Sequence, residues 1–264
     1  MERAIAMARR AALTGIAGIL LAACAGGAGE ERADAAASNN SAVDGSTAAA
    51  VQPVQTAEDG ADGAAGTGRA EGAPTVLIAG TSLTAGLGLD PDDAYPAVVQ
   101  RVADSAGVAV RVVNAGLSGE TSAGLLRRIG WLLRDPADVV VIETGANDGL
   151  RGVNPDSTRE NLRRIVAAVR DARPEARVLL VQMEAPPNLG EAYTSRFRAM
   201  YGEVASESGA KLVPFLLEGI AGVASLNQAD GIHPNEAGAR KAGAIVWAAL
   251  RPVLDSLDRP RGDG

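Results

Sequence analysis

Hydrophobic positions follow two rhythms between residues 74 and 257. Short continuous apolar runs occupy 75–79, 108–113, 138–142 and 177–182, with a weaker fifth at 211–215. They are rich in Val, Leu and Ile and run into turn-forming residues such as Gly80, Asn114, Gly145 and Pro186-Pro187. Runs of this kind predict strands buried on both faces. Between them the apolar residues recur at helical spacing. Ala94, Ala97, Val98 and Val102 share one side of a helix over 93–104; Leu125, Leu126, Ile129 and Leu133 do so over 122–134. Leu162, Ile165, Val166 and Val169 mark a helix over 155–172, and two more are expected over 191–208 and 235–257, the last kinked or ended near Pro252. Alternation of this sort predicts right-handed crossovers and an α/β fold: a three-layer α/β/α sandwich around a mostly parallel five-stranded sheet. Ligands on such sheets bind beyond the carboxyl ends of the strands, where strand order reverses. The loops after the first three strands are therefore where function is expected.

The remainder of the chain has a different grammar. Arg9 and Arg10 precede an apolar run over 11–23 that is too short to span a bilayer as a helix. It closes with Leu21-Ala22-Ala23-Cys24, which resembles the lipobox of bacterial lipoproteins. Residues 1–23 are thus expected to be a lipoprotein signal peptide, with Cys24 lipidated after cleavage and the protein anchored to a membrane of the cell envelope. Met7 is an alternative start. Residues 24–73 carry Ala, Gly, acidic residues, Ser and Thr with few large apolar side chains, so a disordered tether is expected. Residues 258–264 read as a flexible tail. The folded domain is placed at 74–257.

Composition narrows the chemistry. A formal net charge of −7 over 264 residues argues against a nucleic-acid partner, which needs a basic face. The chain has one cysteine and one histidine, Cys24 and His233. A disulfide within the chain is impossible, and a zinc site of nitrogen and sulfur ligands has too few donors. No metal and no organic cofactor is expected. Any imidazole base must be His233.

Four loop segments hold the unusual residues: Gly80-Thr81-Ser82-Leu83, Asn114-Ala115-Gly116-Leu117-Ser118-Gly119-Glu120, Gly145-Ala146-Asn147-Asp148 and Asp230-Gly231-Ile232-His233. A serine at a strand end is a candidate nucleophile only if a base takes its proton, and His233 is that base. Asp230, three residues earlier, is placed to accept from the imidazole Nδ1–H. The backbone N–H groups of Ser82 and Gly119 and the Asn147 amide are candidate oxyanion donors. Asp148 is read as a loop brace, Glu120 and Glu143 as supporting or surface acids, and Glu184 as a loop residue. Gly86-Leu87-Gly88 lacks the third glycine of a dinucleotide loop.

In order and spacing these four blocks resemble the SGNH (GDSL-like) hydrolases, and within them the bacterial thioesterase I/lysophospholipase and arylesterase branch. Ser82, Gly119, Asn147 and His233 match the four name-giving residues, and Asp230 matches the Asp of the family's Asp-x-x-His. The resemblance implies a flavodoxin-like SGNH fold and two-step acyl transfer on a small ester, thioester or lysophospholipid. Monomers are favoured. Thr81 departs from the family's Gly-Asp-Ser-Leu, which keeps a catalytically weakened, lipid-anchored binding protein as an alternative. A carbohydrate O-deacetylase is another. Leu117, Leu150, Val153, Pro186, Pro187 and Leu189 are expected to form the acyl pocket.

Overall fold

The structure is a computed structural model and describes residues 72–257. The expected signal peptide, Cys24, nearly all of the expected tether and the expected tail lie outside the described residues. Five parallel strands form one sheet: β1 (Thr75–Gly80), β2 (Arg111–Gly116), β3 (Val139–Ile142), β4 (Arg177–Val181) and β5 (Lys211–Val213), in the order β2-β1-β3-β4-β5. The three central strands have the composition that burial on both faces demands, and Val76, Ile78, Val139 to Ile142 and Leu179 to Val181 are fully buried. Because β2 and β3 flank β1 on opposite sides, the chain reverses direction across the sheet at β1.

Helices cover both faces. Helix α2 (Tyr95–Ser105) packs on α7 (Glu236–Leu257); on the other face α3 (Ser122–Leu132) packs on α5 (Pro155–Ala172), and α5 on α6 (Glu191–Ser208). Local sequence explains where they start. Asn154 caps α5 by accepting from the Asp156 N–H at 2.9 Å, with Pro155 at its first position, and Thr121 caps α3 through the Gly124 N–H. On α5 the buried residues Leu162, Ile165, Val166 and Val169 face the sheet, while Arg159 and Arg163 pair with Glu203 and Glu207 of α6.

The structure departs from the sequence expectations at several elements. Strand β2 starts and ends three residues later than its apolar run, because its register on β1 (Thr75 on Arg111, Gly80 on Gly116) carries pairing through Asn114, Ala115 and Gly116. Nor is it buried on both faces: it is an edge strand and mostly exposed or half-buried. At that edge the Gln100 side chain donates to the Val110 carbonyl (3.1 Å) and accepts from the Val112 N–H (2.9 Å), standing where a neighbouring strand would. Strand β5 stops at Val213, ahead of Pro214. Helix α7 continues through Pro252 to Leu257; packing of Val246, Ala249, Leu250 and Leu254 into the core outweighs one missing N–H. Two short helices were not expected: α1 (Ser82–Ala85) and α4 (Ala146–Leu150).

Candidate active site

The site gathers at the carboxyl ends of β1, β2 and β3, closed by the loop before α7. Ser82 opens α1, two residues beyond the end of β1. Thr81 caps that turn, with its side chain accepting from Leu83 N–H, and Gly86 ends it in the left-handed conformation (φ +75°). The short turn holds the Ser82 side chain beside the loop that carries His233, with 9 % of the residue exposed.

Asp230 builds the base. One carboxylate oxygen accepts from the backbone N–H of Ile232 (2.9 Å) and His233 (3.0 Å), a tight turn that Gly231 completes at φ +70°. The other oxygen lies 2.6 Å from His233 Nδ1, and His233 Nε2 lies 2.9 Å from Ser82 Oγ. A carboxylate only accepts, so Nδ1 carries the proton and Nε2 is left to accept from the serine hydroxyl. The imidazole bond, then the two backbone donors, hold the Asp230 carboxyl well below its ordinary value, at about 2. Gln228 ties this loop to the nucleophile loop, donating to the carbonyls of Leu87 (2.7 Å) and Pro234 (2.9 Å).

The opposite wall supplies donors. Gly119 has φ +77°, a conformation that favours glycine, and Arg151 donates to its carbonyl at 3.1 Å. The Asn147 amide donates one hydrogen to the Glu120 carbonyl at 3.0 Å, leaving the other free. Glu120 is itself buried and held by both Nε and Nη2 of Arg128 at 2.7 Å, so the loop bearing Gly119 is clamped from beneath. Asp148, 1 % exposed, accepts from the Ser122 N–H (2.8 Å), the Ser122 hydroxyl (2.5 Å) and Thr158 (3.3 Å), joining α3, α4 and α5.

A cavity of about 540 Å³ opens from Ser82 and His233. Gly119, Asn147, Leu150, Pro186 and Pro187 line it, with Leu83, Leu87, Met183, Phe215, Leu217 and Ile232 adding apolar wall that motif reading did not reach. Glu184 lines it too, paired with Arg198 at 2.8 Å. Leu117 lies in a different groove, beside Trp131 and the face of β2. Val153 and Leu189 are not among the wall residues either: the Val153 carbonyl accepts from Tyr193, and Leu189 packs by Gly152. These three lie in loops near the same sheet edge but not in the cavity wall, a distinction no periodicity encodes.

Glu143 follows β3 and is fully buried. Its carboxylate accepts from the Thr81 N–H (2.8 Å), the Thr81 hydroxyl (3.0 and 3.1 Å) and the Thr84 hydroxyl (2.8 Å), and Thr84 Oγ1 also bonds the Tyr95 hydroxyl at 2.8 Å. Burial pushes this carboxyl from 4.5 up to about 7, against the pull of those donors. The hydroxyl of Thr81, where the family pattern has Asp, is thus occupied in donating to Glu143.

A serine, imidazole and carboxylate in line at the mouth of an apolar cavity, on a parallel α/β/α sheet, define a serine hydrolase. More narrowly, the chain belongs to the GDSL-like Lipase/Acylhydrolase family, which residues 78–241 match. It is 45% identical to Esterase TesA of Pseudomonas aeruginosa, over 69% of this chain and 90% of that protein. Similarity to the thioesterase 1/protease 1/lysophospholipase L1 of Escherichia coli is 40% over 71% of this chain and 88% of that one. The crystal structure of a psychrotrophic esterase EstA from Pseudoalteromonas sp., inhibited by monoethylphosphonate, superposes with a TM-score of 0.65 at 32% identity, covering 69% and 98% of the two chains.

Proposed function

We propose that the protein hydrolyses acyl esters and thioesters by two-step acyl transfer, and that it does so as a lipid-anchored enzyme of the cell envelope. The observation that carries the reading is the pair of contacts at His233, 2.9 Å to Ser82 and 2.6 Å to Asp230, at the mouth of the cavity. In the first step Ser82 Oγ attacks the carbonyl carbon while His233 Nε2 takes its proton, and Asp230 stabilises the imidazolium. The N–H groups of Ser82 and Gly119 and the free Asn147 hydrogen receive the oxyanion. His233 then protonates the leaving alcohol or thiol. Water, deprotonated by the same imidazole, attacks the acyl-enzyme and restores Ser82 as the acid departs. No step requires a group that the chain lacks. The apolar wall supports fatty acyl chains over acetate, and the curated relatives named for esterase, thioesterase and lysophospholipase activity support small esters, thioesters and lysophospholipids as the substrate class. The lipid anchor rests on the Cys24 pattern.

Two measurements test this. The full chain is assayed on p-nitrophenyl esters from acetate to palmitate beside Ser82→Ala, with a fluorophosphonate label located by mass spectrometry. Burial of each added methylene is worth about 0.8 kcal/mol, so kcat/KM rises roughly fourfold per carbon until the cavity fills. A maximum at acetate makes it a deacetylase; a folded protein with neither turnover nor label makes it a binding protein. For the anchor, fatty-acid labelling in cells is expected on the wild type and absent from Cys24→Ser. Equal labelling, or none in either, refutes it.

A further inference from the structure

The mechanism above has no use for Glu143, yet few side chains in the domain are placed at greater cost. Its carboxyl is fully buried, and among the described residues no Lys, Arg or His pairs with it. The neighbouring groups do not neutralise it. Tyr95 of α2 reaches it only through Thr84, and Tyr201 of α6 donates instead to the Thr144 carbonyl. Arg128 of α3 donates to the Gly80 carbonyl at 3.4 Å and is paired with Glu120; Asp148 of α4 is committed to Ser122 and Thr158. Neither β1 nor α1 carries a titratable side chain. A buried, unpaired carboxylate is costly, and its retention asks for a reason.

The reason lies in what it holds. Its donors sit on Thr81 and Thr84, on either side of Ser82. Room for the carboxylate exists only because Gly80 has no side chain: a Cβ there would lie 2.0 Å from Thr84 Oγ1 and 2.6 Å from Glu143 Oε2. Three hydrogens converge on two oxygens, an arrangement that suits the acceptor-only ionised form. A proton on the carboxyl removes its charge and part of its acceptor capacity, so its hold on those donors weakens and the turn is tied less firmly.

We propose that Glu143 is a positioning residue for the hydrolase reaction, its ionised carboxylate clamping Thr81 and Thr84 so that the turn between them presents the Ser82 hydroxyl to His233 and its N–H to the oxyanion. The proposal rests on the hydrolase reading and adds an ionisation to it: activity requires Glu143 charged as well as His233 neutral. Burial already draws the Glu143 carboxyl to about 7, within the range where the enzyme is assayed.

The test uses the full chain, Glu143→Gln and Thr84→Val, with kcat and KM for a p-nitrophenyl ester measured from pH 5 to 9. In the wild type the acid limb of log kcat/KM steepens towards a slope of two. In Glu143→Gln kcat at pH 8 falls roughly tenfold to a hundredfold with KM within about twofold, and the slope becomes one. Thr84→Val removes a donor to the charged form, so the second ionisation moves to higher pH. If Glu143→Gln does not fold, that shift decides alone. A wild-type slope of one, unchanged kcat in a folded Glu143→Gln, or an unmoved profile in Thr84→Val overturns the proposal. Fluorophosphonate labelling of Ser82 in the wild type separates the two claims, since it survives failure of the clamp and is lost only if the hydrolase reading is wrong.

Discussion

Replacing Asp148 by Asn changes one atom and no volume, yet it strikes a junction on which three helices depend. The carboxylate is 1 % exposed and accepts from the Ser122 N–H at 2.8 Å and the Ser122 hydroxyl at 2.5 Å. Asn161 already donates to that hydroxyl at 2.9 Å, so the serine oxygen has little capacity to rearrange. An amide keeps one acceptor and puts two donors where hydrogens already point. Bonds to a charged group contribute about 1.5–3 kcal/mol and neutral ones about 0.5–1.5, so downgrading the two short bonds costs about 2 kcal/mol in all. For Asp148→Ala, which orphans a buried N–H and two hydroxyls, roughly 4 kcal/mol is expected. In a domain of this size each kcal/mol lowers Tm by about 2–4 °C. Asn147 is the adjacent residue and reaches the Glu120 carbonyl at 3.0 Å, so slack at 148 also misaims the amide proposed as an oxyanion donor. Thermal melts and steady-state kinetics on Asp148→Asn are expected to show Tm lowered by several degrees and kcat by about tenfold or more, with KM little changed. If Asp148→Asn melts with the wild type and turns over normally, the brace does not exist as described.

Two further outcomes follow from the same geometry. Asn147→Ala should lower kcat about 10²–10³-fold while leaving fluorophosphonate labelling of Ser82 detectable, because a donor is lost and the nucleophile is not; unchanged kcat would remove Asn147 from the oxyanion hole. Glu143→Gln should be the less pH-sensitive protein in urea denaturation. A carboxyl raised from 4.5 to about 7 by folding contributes stability that is fully present below pH 4.5 and lost as pH rises through 7. The stability of the wild type relative to the variant should therefore fall by about 3 kcal/mol between pH 4.5 and pH 8, and a flat difference would place Glu143 in water.

The catalytic candidates were legible because acyl transfer restricts them so tightly. With a single His in the chain, Asp230 at i−3 and a serine after the first strand left little choice, and the structure brings Ser82, Asp230 and His233 into line. The central strands were legible because burial on both faces demands an unbroken apolar run. Edge strand β2 was not, since its register is set by β1 and its outer side needs no apolar residue. Helices α1 and α4 lack a periodicity to detect, being four and five residues long. Leu117 and Leu150 are equally exposed leucines after strands, and only the fold separates the β2 groove from the cavity. The buried state of Glu143 depended on the missing Cβ of Gly80, which no single segment reveals.

Ser82 and His233 stand 151 positions apart in the chain. Between them come four of the five strands, and the loop bearing His233 leads into α7, whose main partner is α2. The imidazole is therefore expected to find the serine only once the C-terminal helix has packed on α2, the helix of the first crossover, after local helices have formed. Hydrolytic competence is for this reason a clock for folding. A chain still emerging from synthesis carries the nucleophile before its base, one lacking its final helix carries the base on a loop without its α7–α2 anchorage, and turnover during refolding should reappear with the slowest structural phase rather than with the recovery of helical signal.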